Sequence, residues 1–253
     1  MVQTVFFKNA RGLLLKGYAH VPRTYDTAVV FCHGFPSNSR GSTSQRVGRA
    51  LPRAGFLVFR FDFSHSPDSA GKFEEKLMSR EVEDIKSAID FVSSRFSFKK
   101  LVLYGHSTGA IDAALYAHRD RRLHKLILTG AVADLKGAVR YDFTDGQVKD
   151  FWEKGYMVYR RRGEWVDGKR LLRRFYDEFF LLDIPRAIQK FKRPLLVIHG
   201  EKDAIPYEQE AYALYRMANR PKRFVLIKGA DHSFHGRRHF AEAMRHIISF
   251  IRK

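Results

Sequence analysis

Short runs of aliphatic, β-branched and aromatic residues alternate along this chain with longer stretches whose apolar positions recur every three or four residues. The short runs predict strands buried on both faces, and the longer stretches predict helices lying over them. Together they predict a mostly parallel sheet flanked by helices. Residues 5–8 and 13–20 read as an opening hairpin. Residues 28–33 read as a buried strand entering the turn-rich Gly34-Phe35-Pro36-Ser37, and 56–61, 101–104, 126–129, 195–198 and 224–227 as further strands. Helices are predicted over 42–54, 80–96, 107–117, 207–217 and 239–251. Within 80–96, Val82, Ile85, Ile89 and Val92 share one face.

The beat changes over residues 134–193, which are mainly helical in pattern and mix Phe143, Trp152, Tyr156, Tyr159, Trp165, Phe175, Tyr176, Phe179 and Phe180 with many charges. This segment is expected to be a cap inserted above the sheet, with residues 1–133 and 194–253 forming the catalytic domain around it. Most of these aromatics would pack the insertion's own small core. Trp152, Tyr156 and Trp165 are candidates to line a substrate cleft, because aromatic rings offer large apolar contact with little loss of side-chain freedom.

A length of 253 residues is room for one large domain or two small ones with a substantial core, and 45% hydrophobic residues with only 8 prolines exclude a disordered or collagen-like chain. Cys32 is the single cysteine, so no intrachain disulfide forms; a reducing compartment is compatible with this, and a cytoplasmic location is expected. The start of the chain does not read as a signal peptide, and no apolar run is long enough for a transmembrane helix. Homo-oligomer formation stays open.

Charge adds a competing hypothesis. Forty-six Lys and Arg against 27 Asp and Glu give a formal net charge of +19, a field that attracts nucleic acid, anionic surfaces or acidic substrates. Arg160, Arg161, Arg162, Lys169, Arg170, Arg173 and Arg174 could contact phosphates and Trp165 could stack on a base, which would make the chain a basic nucleic-acid-binding or scaffold protein. Helical charge runs are more often solvated faces, and no nucleic-acid motif accompanies these, so no specific nucleic-acid partner is expected.

The sharpest local signal is Gly105-His106-Ser107-Thr108-Gly109, between an apolar strand and a helix. A tight strand-to-helix turn needs small residues on both sides, and it projects the Ser107 hydroxyl from a strained bend. The same turn sets the Thr108 N–H at a helix start, where donors and dipole favour a developing negative charge. A serine hydroxyl also needs a base, and that base needs a carboxylate to orient it. Asp203 and His232 follow late strands and supply both. Asp134 and Glu201 are rival acids, and His235 is the rival base. A second oxyanion donor should come from the loop after an early central strand, where Gly34 permits a bend that aims the Phe35 N–H at the substrate oxygen; the Phe35 ring would then touch substrate. His106 is expected to pack the bend. The Cys and His residues show no metal-ligand spacing, and no metal or organic cofactor is expected.

His33-Gly34-Phe35, Gly105 to Gly109, His199-Gly-Glu-Lys-Asp203 and Asp231-His232 occur in an order that resembles the α/β-hydrolase superfamily across nearly the whole chain. Within it, the chain looks most like small capped carboxylesterases of the feruloyl/cinnamoyl esterase type, because residues 61–71 follow an F-D-F-x-G-x-G-x-S-x-G pattern. His65 and Pro67 stand at its two internal glycine positions, a departure that stiffens the loop and reshapes the mouth of the site. The resemblance implies an α/β-hydrolase fold and a serine carboxylesterase, acting through an acyl-enzyme on short or medium acyl, or aryl (hydroxycinnamoyl-type), small-molecule esters. Ser107, Asp203 and His232 would be catalytic, with the amides of Phe35 and Thr108 as the oxyanion hole. A thioesterase, a monoacylglycerol lipase or a peptidase would use the same triad, since the triad does not name the leaving group.

Overall fold

The computed structural model describes residues 1–253. The opening hairpin is present as β1 (Val2–Lys8) and β2 (Leu14–His20), paired antiparallel. The parallel strands follow as β3 (Thr27–Cys32), β4 (Leu57–Phe61), β5 (Lys100–His106), β6 (Leu123–Thr129), β9 (Leu195–Gly200) and β10 (Lys222–Ile227). Together they form one eight-stranded sheet in the order β1-β2-β4-β3-β5-β6-β9-β10. Only the β1–β2 and β2–β4 pairs are antiparallel.

Every residue of β3, β4 and β9 is buried, which explains why these strands read as unbroken apolar runs. Their side chains still alternate between two cores. Val29, Phe31, Val58, Tyr104 and Ile198 join one core with α1 (Ser42–Arg53) and α9 (Arg237–Arg252). Val30, Phe59, Leu103, Leu128 and Val197 join a larger one with α2 (Met78–Arg95) and α3 (Thr108–Ala117). The helix expected over 207–217 is shorter, starting only at α8 (Ala211–Met217), because Tyr207–Glu210 is taken up in turns.

Between β6 and β9 the chain forms α4 (Leu135–Asp142), α5 (Asp145–Lys154), α6 (Arg173–Leu181) and α7 (Ile184–Lys190). It also forms a two-stranded antiparallel ribbon, β7 (Tyr156–Val158) and β8 (Arg170–Leu172), which the sequence pattern did not predict. Phe143, Phe151, Tyr176 and Phe179 pack edge-on or stacked with centroids 5.1–5.7 Å apart, forming an aromatic core that merges with the larger of the two cores. Helix α7 packs against α3, returning the chain to the layer over the sheet before β9.

Candidate active site

The parallel strands deliver Gly34, Ser107, Asp203 and His232 from the carboxyl ends of β3, β5, β9 and β10, the edge of an open α/β sheet where ligand crevices form. Ser107 lies between β5 and α3 at φ 57° and ψ −128°, so the helix begins one residue later than the sequence pattern suggested. A non-glycine residue rarely adopts this conformation. The flanking glycines permit it: a Cβ on Gly105 would collide with the Gly109 carbonyl, and one on Gly109 with the Cys32 carbonyl. Gly34 packs equally tightly, since a Cβ there would lie 2.6 Å from the Ser107 Cβ.

Ser107 Oγ lies 2.9 Å from His232 Nε2, and His232 Nδ1 lies 2.7 Å from Asp203 Oδ2. The Asp203 carboxylate also accepts from the Ile205 N–H at 2.9 Å and is approached by His199 Nε2 at 3.0 Å. Burial alone would raise its pKa, but the hydrogen bonds from His199 and His232 and the charge on His232 hold it well below the usual carboxylate range. His199 was missed as part of this group. The available signal was its place at the end of a buried strand, four residues before Asp203.

The rivals are bound elsewhere. Asp134 caps α4 by accepting from the Gly137 N–H, Glu201 accepts from the Gly229 N–H, and His235 pairs with Asp231 at 3.0 Å. His106 is buried against His232, with ring centroids 5.2 Å apart, and its Nδ1 meets Thr129 Oγ1 at 3.0 Å. Burial, reinforced by the charge of His232, pushes its pKa down to about 3, which suits packing better than proton transfer at neutral pH.

The Thr108 N–H follows Ser107 directly, the Phe35 N–H follows Gly34, which packs against Ser107, and neither amide has an acceptor within the chain. Phe35 is held by its ring, which stacks on Phe73 and meets Tyr159 and Trp165 edge-on. Trp165 Nε1–H donates to the Pro36 carbonyl at 2.5 Å, tying residues 159–165 down onto this loop. Trp165 packs on the Phe35 ring but lines neither cavity beside it, and the other two aromatic candidates are not brought to the cleft either. Trp152 is 59% exposed, with the Arg173 guanidinium 3.7 Å over its ring. Tyr156 faces a separate groove of about 880 Å³ on the insertion, beside Arg140 and Lys154. Periodicity could not foresee this, because in a three-residue strand and an adjoining helix end an aromatic ring is as readily turned to solvent as inward.

Two cavities meet at this site. One, of about 260 Å³, opens over Ser107 and His232 and is lined mainly by histidines, serines and a threonine. The other, of about 60 Å³, lies behind Thr108 and Phe35 among Met78, Ile111, Phe143, Phe175 and Phe179, and Arg161 shares its lining with Asp142. Asp142 stands at the mouth of the second. It is accessible yet surrounded by protein on most sides, and that enclosure raises its pKa to about 6 against the opposing charge of His232.

His65 adopts φ 71°, the left-handed region that glycine enters without strain, and its ring occupies the space a Cβ on Gly71 would need. The glycine of the pattern seen in residues 61–71 is thus explained by backbone geometry. Here a buried histidine bears that strain, its pKa lowered to about 4 by burial and by the charges of Lys76, Arg11 and Arg80.

The family Hydrolase_4, described as "Serine aminopeptidase, S33", matches residues 23–158. Among curated proteins, the chain is 25% identical over 254 residues to the uncharacterized protein YqkD of Bacillus subtilis, covering 92% of this chain and 74% of that protein. It is 26% identical over 227 residues to the human serine hydrolase BPHL, covering 83% and 74% respectively. Across the curated relatives, the chain spans between 56% and 74% of their length. Among solved structures, the ferulic acid complex of Est1E from Butyrivibrio proteoclasticus superimposes with a TM-score of 0.81 at 21% identity, covering 98% of this chain and 100% of that one. A likeness at that identity establishes the shared fold.

Proposed function

The chain belongs to the serine aminopeptidase family of α/β-hydrolases, and from that premise we propose that it is a serine carboxylesterase working through an acyl-enzyme. The observation that carries this reading is the unbroken series from Asp203 through His232 to Ser107, set beside two free backbone donors.

His232 Nε2 takes the Ser107 proton as Oγ attacks the ester carbonyl, and the amides of Phe35 and Thr108 receive the negative charge that forms on the carbonyl oxygen. The tetrahedral intermediate collapses as the imidazolium gives its proton to the departing alcohol oxygen. That leaves the acyl group on Oγ. Water then enters, His232 removes its proton, and the sequence reverses to release acid and restore the serine. Asp203 keeps the Nδ1–H tautomer of His232 and stabilises the imidazolium without taking the proton itself.

The segment over residues 134–193 acts in this reading as the cap, with Phe143, Phe175 and Phe179 lining the apolar chamber and Trp165 fixing the loop that carries Phe35. A short or medium acyl group, or an aryl one, suits that lining. A second reading is favoured by one residue: Asp142, at the mouth of the same chamber, would hold the ammonium of an aminoacyl group, as an aminopeptidase requires, against the opposing charge of Arg161 in the same lining.

Hydrolysis of a panel of p-nitrophenyl and hydroxycinnamate esters by the wild type and Ser107→Ala tests the proposal. Turnover that disappears in the variant is expected; retained turnover contradicts it.

A further inference from the structure

Neither the N–H nor the C=O of Phe35 makes a hydrogen bond within the chain. An oxyanion donor has to be free in this way, but no backbone partner then sets where it points. That task falls to whatever grips the Phe35 ring. Phe73 stacks on it with centroids 6.0 Å apart, and Tyr159 and Trp165 meet it edge-on. Lys76 adds a charge, its Nζ lying 4.7 Å from the ring centroid.

The Lys76 side chain is only 4% exposed and follows the short 3₁₀ turn Phe73–Glu75, whose first residue is the Phe73 stacked on Phe35. Its ammonium pairs with Glu81, which is also buried, in the first turn of α2. Three more carboxylates lie within electrostatic reach of this pair. Asp84 is taken up by Asn9, Arg11 and Ser64, and Glu178 of α6 by the N–H and hydroxyl of Ser79. Asp112 of α3 has no partner on either oxygen; burial and the charge of Glu81 raise its pKa far above the usual carboxylate range, so it holds a proton. Lys76 and Glu81 are left as the charged pair beside the oxyanion loop. A buried ion pair often stabilises a fold less than apolar side chains of the same volume, so stability is a weak reason for an ammonium here. Position is a stronger one, because a desolvated cation is drawn to an aromatic face while Glu81 fixes it from the other side. The same charge reaches the loop itself, adding to burial in lowering the pKa of His33.

We propose that Lys76 is a positioning residue of the oxyanion hole: clamped by Glu81, its ammonium holds the Phe35 ring, and through the ring the Phe35 N–H, towards the carbonyl oxygen of an ester at Ser107. This rests on the esterase reading above and adds to it the residue that places one of its two oxyanion donors.

The test compares Lys76→Met and the double variant Lys76→Met/Glu81→Met with the wild type. The substrate is p-nitrophenyl butyrate, and the inhibitor is n-butylboronic acid, whose tetrahedral adduct on the serine fills the oxyanion hole. For Lys76→Met the expected result is a kcat at least about tenfold lower, a KM within about twofold of the wild type, and boronic acid binding weakened by about the same factor as kcat. The double variant removes both charges together, so no carboxylate is left buried without its cation. It should unfold close to the wild-type temperature and still show the lowered kcat, and it carries the test alone if Lys76→Met does not fold. A wild-type kcat in the double variant would show that Lys76 only balances Glu81, and it overturns the proposal, as does a wild-type kcat in Lys76→Met. Either result leaves the esterase reading standing on turnover by the wild type. No turnover by the wild type overturns both.

Discussion

His199 Nε2 lies 3.0 Å from the Oδ2 of Asp203, the same oxygen that His232 Nδ1 reaches at 2.7 Å. Nε2 also lies 2.9 Å from the Ile205 carbonyl, so both of its neighbours are acceptors and that nitrogen carries the proton. His199 thus steadies the carboxylate from behind while its other nitrogen, Nδ1, is buried without a partner. Replacing it with Phe removes one charge-assisted hydrogen bond of about 1.5–3 kcal/mol from Asp203. We expect kcat/KM to fall by about ten- to a hundredfold. The acid limb of the pH–rate profile should move upward, because Asp203 with one donor fewer binds the His232 imidazolium more strongly. An unchanged profile and rate would show that His199 only fills space.

Gly34→Ala tests the oxyanion loop. The added Cβ would meet the Ser107 Cβ at 2.6 Å and the His106 carbonyl at 3.1 Å, neither of which can retreat without moving the elbow. Displacing the Phe35 amide should lower kcat on the order of a hundredfold, the usual cost of one oxyanion donor, with a smaller change in KM. Steady-state kinetics on a folded variant, checked by circular dichroism, gives the answer. A kcat close to that of the wild type would mean that Phe35 does not serve this role.

Much of this arrangement was legible in the sequence because its causes are local. Strands β3, β5 and β9 are buried on both faces and so appear as continuous apolar runs, and the Gly105 to Gly109 turn announces itself because no larger residue fits beside Ser107. Chain order then picked Asp203 and His232 out of several carboxylates and histidines. The insertion was less legible. Its ribbon strands are three residues long, too short for a period to register, and Trp152 proves to be a platform for Arg173 rather than a cleft wall. The polar cavity was illegible for another reason: Ser37, Ser42 and Thr43 lie on the loop after β3 and the first turn of α1, Ser233 lies on the loop after β10, and only the folded sheet edge brings the two segments together.

His20 offers a test of the fold away from the site. Its Nε2 accepts from the Arg60 Nε–H at 2.8 Å, and burial together with the Arg60 charge lowers its pKa to about 4. A histidine depressed in the folded state binds its proton more readily when unfolded. Its contribution to stability is therefore complete above the unfolded value of about 6.5 and is lost as pH falls towards the folded value. Between pH 7 and pH 5 the wild type should lose about 2 kcal/mol relative to His20→Gln, which does not titrate. Urea unfolding of both proteins at the two pH values reads this difference directly. A constant gap would contradict the buried neutral pairing.

Asp142 separates neutral from cationic acyl groups. Its carboxyl, raised to about 6, gains a proton as pH falls through that value, and a protonated carboxyl no longer attracts an ammonium. If aminoacyl esters are substrates, their KM should rise relative to that of butyryl esters from pH 7 to pH 5, and Asp142→Asn should abolish the difference. A KM ratio that is flat with pH would remove the reason for the aminopeptidase reading.

Whether Ser107 carries the acyl group is read by pre-steady-state mixing with p-nitrophenyl butyrate. We expect a burst of p-nitrophenol stoichiometric with protein, an intact-mass gain of one butyryl group that maps to the peptide holding Ser107, and neither in Ser107→Ala. A butyryl adduct on another residue, or turnover by Ser107→Ala at the wild-type rate, would contradict it.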